Sequence, residues 1–183
     1  MAGAFERSRA LFIRRWGEMG AYWGINRTMA ELHALLYISA EPLCTDDVMS
    51  HLEISRGSAS INLRQLVDWG LIRRVHKKGD RKEYFTSETD VWEMFQTIAR
   101  ERKRREVEPI IETIHRCRDM VGREMASLKG ADAAAARVYM ERLDAMQEFL
   151  EAMMGLLNLM LRGSRGDISA LTKMMARLVP PGS

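Results

Sequence analysis

Cysteine is nearly missing from this chain, and the two present in 183 residues, Cys44 and Cys117, lie far apart in unrelated surroundings. That excludes a disulfide-built scaffold. Together with the lack of a charged-then-apolar leader at the start, it sets the expectation of a reducing, cytoplasmic setting. Prolines number four against 46% hydrophobic residues, which excludes a disordered or polyproline chain. Long apolar runs are missing too. The longest, Phe149 to Leu161, contains Glu151 and Asn158 and falls short of the roughly twenty residues a membrane span needs, so no membrane partner is expected. The four histidines, His33, His51, His76 and His115, show no metal-ligand spacing with one another or with the cysteines. No nucleophile with its base, glycine-rich phosphate loop or carboxylate pair is evident. The chain reads as a protein without catalysis, cofactor or metal.

What is present is local basic charge. Net charge is only +3, but residues 71–82 hold Arg73, Arg74, Lys77, Lys78, Arg81 and Lys82 against the single acid Asp80. A second cluster, Arg100 to Arg105, is interleaved with Glu101 and followed by Glu106 and Glu108, as on a solvated helix face.

Apolar spacing predicts a mainly helical chain. Phe5, Phe12, Trp16 and Met19 mark a helix over 4–22. Thr28 with Glu31 matches a capping box opening a second helix that Pro42 closes. Thr45 is the expected cap of a third, with Asp46 and Asp47 at its positive end. Ser55 caps a fourth, on which Ala59, Leu63, Leu66 and Val67 face inward and Gly57, Ser58, Ser60, Ile61, Arg64 and Gln65 outward, with Asn62 on the flank of the buried side. Gly70 sits where a left-handed residue ends that helix. Ile72–Lys77 and Lys82–Thr86 then flank Lys78-Gly79-Asp80-Arg81 as a hairpin. Asp90 caps a long helical pattern that Pro109 kinks or divides. A further helix covers about 132–162, and Asp167 caps a last one over 168–178.

Two short helices around a tight turn, followed by a basic hairpin, form a winged helix-turn-helix: the second helix suits a major groove and the hairpin suits phosphate. The fold class expected is mainly α with a small β-hairpin wing and long C-terminal dimerisation helices. Residues 1–90 form the DNA-binding domain and 91–183 a helical dimerisation and effector region. The expected DNA contacts are Thr45, Ser55, Arg56, Gly57, Ser58, Ser60, Ile61, Arg64, Lys77, Lys78, Arg81 and Lys82. Trp16, Tyr22, Trp23 and Trp92 are candidates for a cage around a cationic effector such as a quaternary ammonium, against the plainer reading that they are core. The expected partners are double-stranded DNA and a second copy of the chain, because two long helices with broad apolar faces exceed what a small winged domain can cover. The alternatives are a protein-interaction module and a sequence-neutral architectural DNA binder on the same fold.

Trp23-Gly24-Ile25-Asn26-Arg27-Thr28-Met29-Ala30-Glu31-Leu32-His33-Ala34-Leu35-Leu36, Ser55-Arg56-Gly57-Ser58-Ala59-Ser60-Ile61-Asn62-Leu63-Arg64 and Trp69-Gly70-Leu71-Ile72-Arg73-Arg74-Val75 together resemble the GbsR-type branch of the MarR superfamily, over roughly residues 10–105. The resemblance implies a cytoplasmic transcriptional regulator, usually a repressor, acting as a homodimer. Through the choline and glycine betaine links of some members, it also implies a choline- or betaine-like effector.

Overall fold

The computed structural model describes residues 3–162. Two compact units divide near Ile98.

The first unit opens with α1 (Ala4–Tyr22) packed along α2 (Arg27–Ile38). The approach is close enough that a Cβ on Gly20 would meet the Ala30 Cβ at 2.6 Å, so glycine is what lets these two helices touch. A two-residue strand, β1 (Leu43–Cys44), leads into α3 (Thr45–Leu52), then α4 (Arg56–Asp68), β2 (Ile72–His76), β3 (Glu83–Ser87) and α5 (Val91–Arg102). The sheet order is β1-β3-β2, all antiparallel, with Leu43 opposite Phe85 and Arg74 also opposite Phe85 on the other side. β1 was not expected from the sequence. It fastens the entry to α3 onto the hairpin.

Leu32, Leu35, Val48, Ala59 and Leu66 are at most 1% exposed and join Leu63, Leu71, Ile72 and Phe85 in one core under α2, α3, α4 and the sheet. Burying each large aliphatic side chain contributes about 1.5–3 kcal/mol.

Helix ends are set by side chains within a residue or two of those expected. α2 is capped by Asn26, whose Oδ1 accepts from Met29 N–H at 3.0 Å, and not by Thr28; Glu31 instead pairs with Arg27 at 2.8 Å. An Asx side chain two residues upstream reaches the orphan amide first. α2 ends at Ile38, before Pro42, where the Ser39 hydroxyl donates to the Leu35 carbonyl at 2.6 Å. The residue preceding α3 is Cys44, not Thr45, and the Asp47 carboxylate accepts from Cys44 N–H at 2.8 Å. Thr45 is the first helical residue, half-buried. Ser55 caps α4 as expected, accepting from Ser58 N–H at 3.2 Å, and Asp90 caps α5, accepting from Trp92 N–H at 2.7 Å. Gly70, at φ 73°, ends α4 with Leu71 N–H bonded to the Leu66 carbonyl at 3.0 Å, the Schellman pattern.

In the second unit a π-helical turn (Lys103–Val107) precedes α6 (Glu108–Glu124), and α7 (Gly130–Arg162) follows. The π turn ends at Val107, two positions before Pro109. Proline offers no amide and crowds the carbonyl four residues back, and a wider turn relieves both without ending the helix. α6 and α7 are clasped by Arg118, whose Nε is 2.7 Å from Asp144 Oδ1 and whose Nη1 donates to Gln147 Oε1 at 2.6 Å. Ile114 is the one buried hydrophobic among the described side chains of this unit. The helix expected over 168–178 and its Asp167 cap lie outside the described residues. No described helix is long and apolar enough to cross a membrane, and no described cluster of three His, Cys, Asp or Glu groups is placed to hold a metal.

Candidate nucleic-acid interface

The local sequence of α4 determines which of its residues reach solvent. Ala59, Asn62, Leu63 and Leu66 are buried at helical spacing, so the opposite face is left to Gly57, Ser60, Ile61, Arg64 and Gln65, all exposed. Ile61 is 60% exposed on this face. Arg64 stands beside it with no hydrogen-bond or ion-pair partner among the described residues. Ser58 is half-buried and turned toward Asn62, whose Nδ2 donates to the Ser58 carbonyl at 2.8 Å, so both serve the helix more than its outer face.

The hairpin tip is built around Asp80. Its Oδ1 accepts from Lys82 N–H at 2.9 Å and its Oδ2 from the Tyr84 hydroxyl at 2.7 Å, while Gly79 adopts φ 85° to close the turn. The Tyr84 hydroxyl holds the Asp80 carboxyl below the usual range, and the same bond pushes Tyr84 up to about 12. Lys77 Nζ lies 4.3 Å from the Tyr84 ring centroid, a cation–π contact. Lys78 and Arg81 lie at the tip and are exposed.

Arg56 and Lys82 are placed differently. Both meet Asp46: Arg56 Nη2 donates to Oδ1, and Lys82 Nζ lies 3.2 Å from Oδ2. The bond from Lys82, then that from Arg56, holds the Asp46 carboxyl below its ordinary value. Asp46 was not among the residues expected to matter here. Its partners lie ten and thirty-six positions away, beyond any helical or strand period.

The four aromatics expected to gather as a cage do not share one wall. Trp16 and Trp23 line an apolar cavity of about 250 Å³ with Met19, Met29, Met94 and Phe95. Tyr22 is 90% exposed, and Trp92 stacks on Phe95 at 5.3 Å without lining the cavity. His33 also lines it. Its ring is 6.3 Å from that of Trp16, it is 3% exposed, and its Nε2 is buried without a hydrogen-bond partner among the described residues. Burial lowers the His33 pKa to about 4, so the imidazole is neutral at pH 7.

Comparison with known proteins agrees with this geometry. Residues 23–83, the segment from the end of α1 to the start of β3, match the family model described as MarR family. The chain is 28% identical over 105 residues to the HTH-type transcriptional repressor GbsR of Bacillus subtilis (strain 168), covering 57% of this chain and 58% of that one. It is 24% identical over 93 residues to the putative HTH-type transcriptional regulator YvaV of the same strain, covering 51% and 52%. The chain thus spans a little over half the length of the curated relatives it matches. A solved structure described as a transcriptional regulator shares the fold, with a TM-score of 0.55 at 23% identity over 84% of this chain and 95% of that one. The winged helix-turn-helix of this chain is thus similar in sequence to MarR-family regulators over residues 23–83.

Proposed function

We propose that the protein is a sequence-specific DNA-binding transcriptional regulator of the cytoplasm, a ligand-responsive repressor that acts as a homodimer. The observation that carries this reading is the outer face of α4, where Ser60, Ile61 and Arg64, unpartnered among the described residues, stand exposed beside a basic hairpin whose tip is tied by Asp80. The arginine matches the paired acceptors of guanine and the isoleucine a thymine methyl, while Lys78 and Arg81 suit phosphate. In a dimer the two α4 helices enter successive major grooves about 34 Å apart on a pseudo-palindromic operator. The second unit supports a partner copy. Ile110, Met120, Phe149 and Leu159 are each more than half exposed there, and a second copy is the economical cover. The repressor name of one relative supports repression as the mode of action.

The effector reading rests on the cavity lined by His33. The lining holds no carboxylate to offset a desolvated cation, and Tyr22 and Trp92 stand away from it. Its chemistry suits a neutral, mostly apolar molecule with one polar group for His33 Nε2 better than a choline- or betaine-like one. Such a ligand releases DNA by binding the state with the wrong helix spacing more tightly.

Two substitutions test the DNA reading. Arg64→Ala is expected to cost about 1–3 kcal/mol on the operator and to relax its sequence preference, while Lys78→Ala weakens every duplex alike and flattens the salt dependence. Operators selected from genomic fragments and titrated by gel shift give the measurement. An equal loss on operator and random duplex for Arg64→Ala would remove its base-reading role.

A further inference from the structure

Among the described residues, the Asp46 carboxylate accepts no backbone amide at the start of its own helix. The orphan amide at the start of α3 is taken by the Asp47 carboxylate, which accepts from Cys44 N–H at 2.8 Å. The Asp46 carboxylate is instead divided between two cations of the outer surface, one oxygen for Arg56 and the other for Lys82. One side chain comes from the first turn of α3, one is the first residue of α4, and one directly precedes β3. A single acid therefore bridges the groove-facing helix and the wing. All three side chains are between 46% and 67% exposed. The clamp is open to solvent, weak by the standards of exposed ion pairs, and within reach of a phosphate.

We propose that Asp46 is a specificity-determining residue, an internal competitor that withholds Arg56 and Lys82 from phosphates, so that binding rests on the base contacts of α4 and duplex lacking the correct bases has little to hold it. The inference rests on the DNA-binding reading above and deepens it. Affinity for duplex of arbitrary sequence comes almost entirely from the number of phosphates that cations neutralise. A carboxylate tethered at contact distance competes at a high effective concentration. Random duplex, with no base contacts to fix its register, would gain from freed Arg56 and Lys82 wherever a phosphate came within reach, whereas an operator held through Ser60, Ile61 and Arg64 keeps one register in which the clamp stays closed. The clamp widens the gap between right and wrong sequences by weakening the wrong ones. Because its two partners keep the carboxyl below the ordinary range, the clamp persists through mildly acidic conditions.

Asp46→Asn in the full chain tests this by gel shift or fluorescence anisotropy over a salt series. On random duplex the variant is expected to bind about tenfold more tightly, with the slope of log affinity against log salt steeper by about one to two. On the operator the gain is smaller, so the ratio of operator to random affinity falls. Glu83→Gln removes the same charge from the wing, where Glu83 faces Arg74 at 3.6 Å, and is expected to leave that ratio unchanged. Arg56→Gln with Lys82→Gln supplies a second route: in the native background the pair costs little on random duplex, and added to Asp46→Asn it erases the gain. An unchanged ratio for Asp46→Asn, weaker binding to both duplexes, or an equal effect of Glu83→Gln would overturn the proposal. If the native chain shifts no duplex at low salt, it is the DNA-binding reading that fails.

Discussion

His33 is the residue whose surroundings depart most from what its neighbours along the chain suggest. It occupies α2 between Leu32 and Ala34, and only the fold reveals that its ring closes one side of an apolar cavity. Its pKa falls from 6.5 to about 4 through burial alone. The folded state therefore binds fewer protons than the unfolded state at acidic pH, so stability is complete above about pH 6.5 and is lost as pH falls toward 4. The shift corresponds to about 3 kcal/mol. Urea titrations between pH 7.5 and 4.5 should show this loss, and His33→Leu should remove most of that slope while other groups keep theirs. A variant with the native slope would show that His33 titrates normally in the fold. Arg56 and Lys82 give the complementary lesson: both were expected at DNA by residue type and position, yet in the free chain each is held by Asp46.

At the scale of elements, the parts legible in the sequence are those whose causes are local. α1 spans the range its apolar spacing predicts, Ser55 and Asp90 cap where they stand before a helical pattern, and Gly70 ends α4. Elements with distant causes were not legible. β1 is two residues long and exists because it pairs with Tyr84 and Phe85, some forty positions on. Asn26 and Cys44 precede helices assigned to Thr28 and Thr45, since neighbouring polar residues compete for the same amide and spacing does not rank them. The turn between α3 and α4 carries Glu53 at φ 54°, a left-handed residue with no glycine to announce it. Pro109 was visible, but not that a π turn absorbs it. The cavity among α1, α2, α4 and α5 likewise collects residues spread from Trp16 to Ile98. Thermal melts with neutral aromatic alcohols are expected to raise Tm through this cavity, and choline to leave it unchanged. Met94→Trp, which fills the space, should abolish the rise. Stabilisation by choline and not by the neutral ligands would reverse the assignment.

The molecule as a whole is divided by how each unit holds itself together. The first has a continuous core from Met29 to Met94. The second, among its described residues, has Ile114 buried and an ion-paired clasp at Arg118, with Phe149, Met153, Leu156 and Leu159 left about half exposed or more. Sedimentation velocity at micromolar concentration is expected to give a dimer, and Phe149→Glu with Leu156→Glu to shift it toward monomer. A native monomer under those conditions would remove the two-site arrangement on DNA. The scarcity of buried side chains around Ile114 also bears on how the cell's supply of this protein matters. A unit completed by a second copy has a folded fraction that depends on how many copies there are. In the proposed dimer abundance enters twice, once in occupancy of DNA and once in the survival of the helices themselves, and dilution at cell division weakens both together.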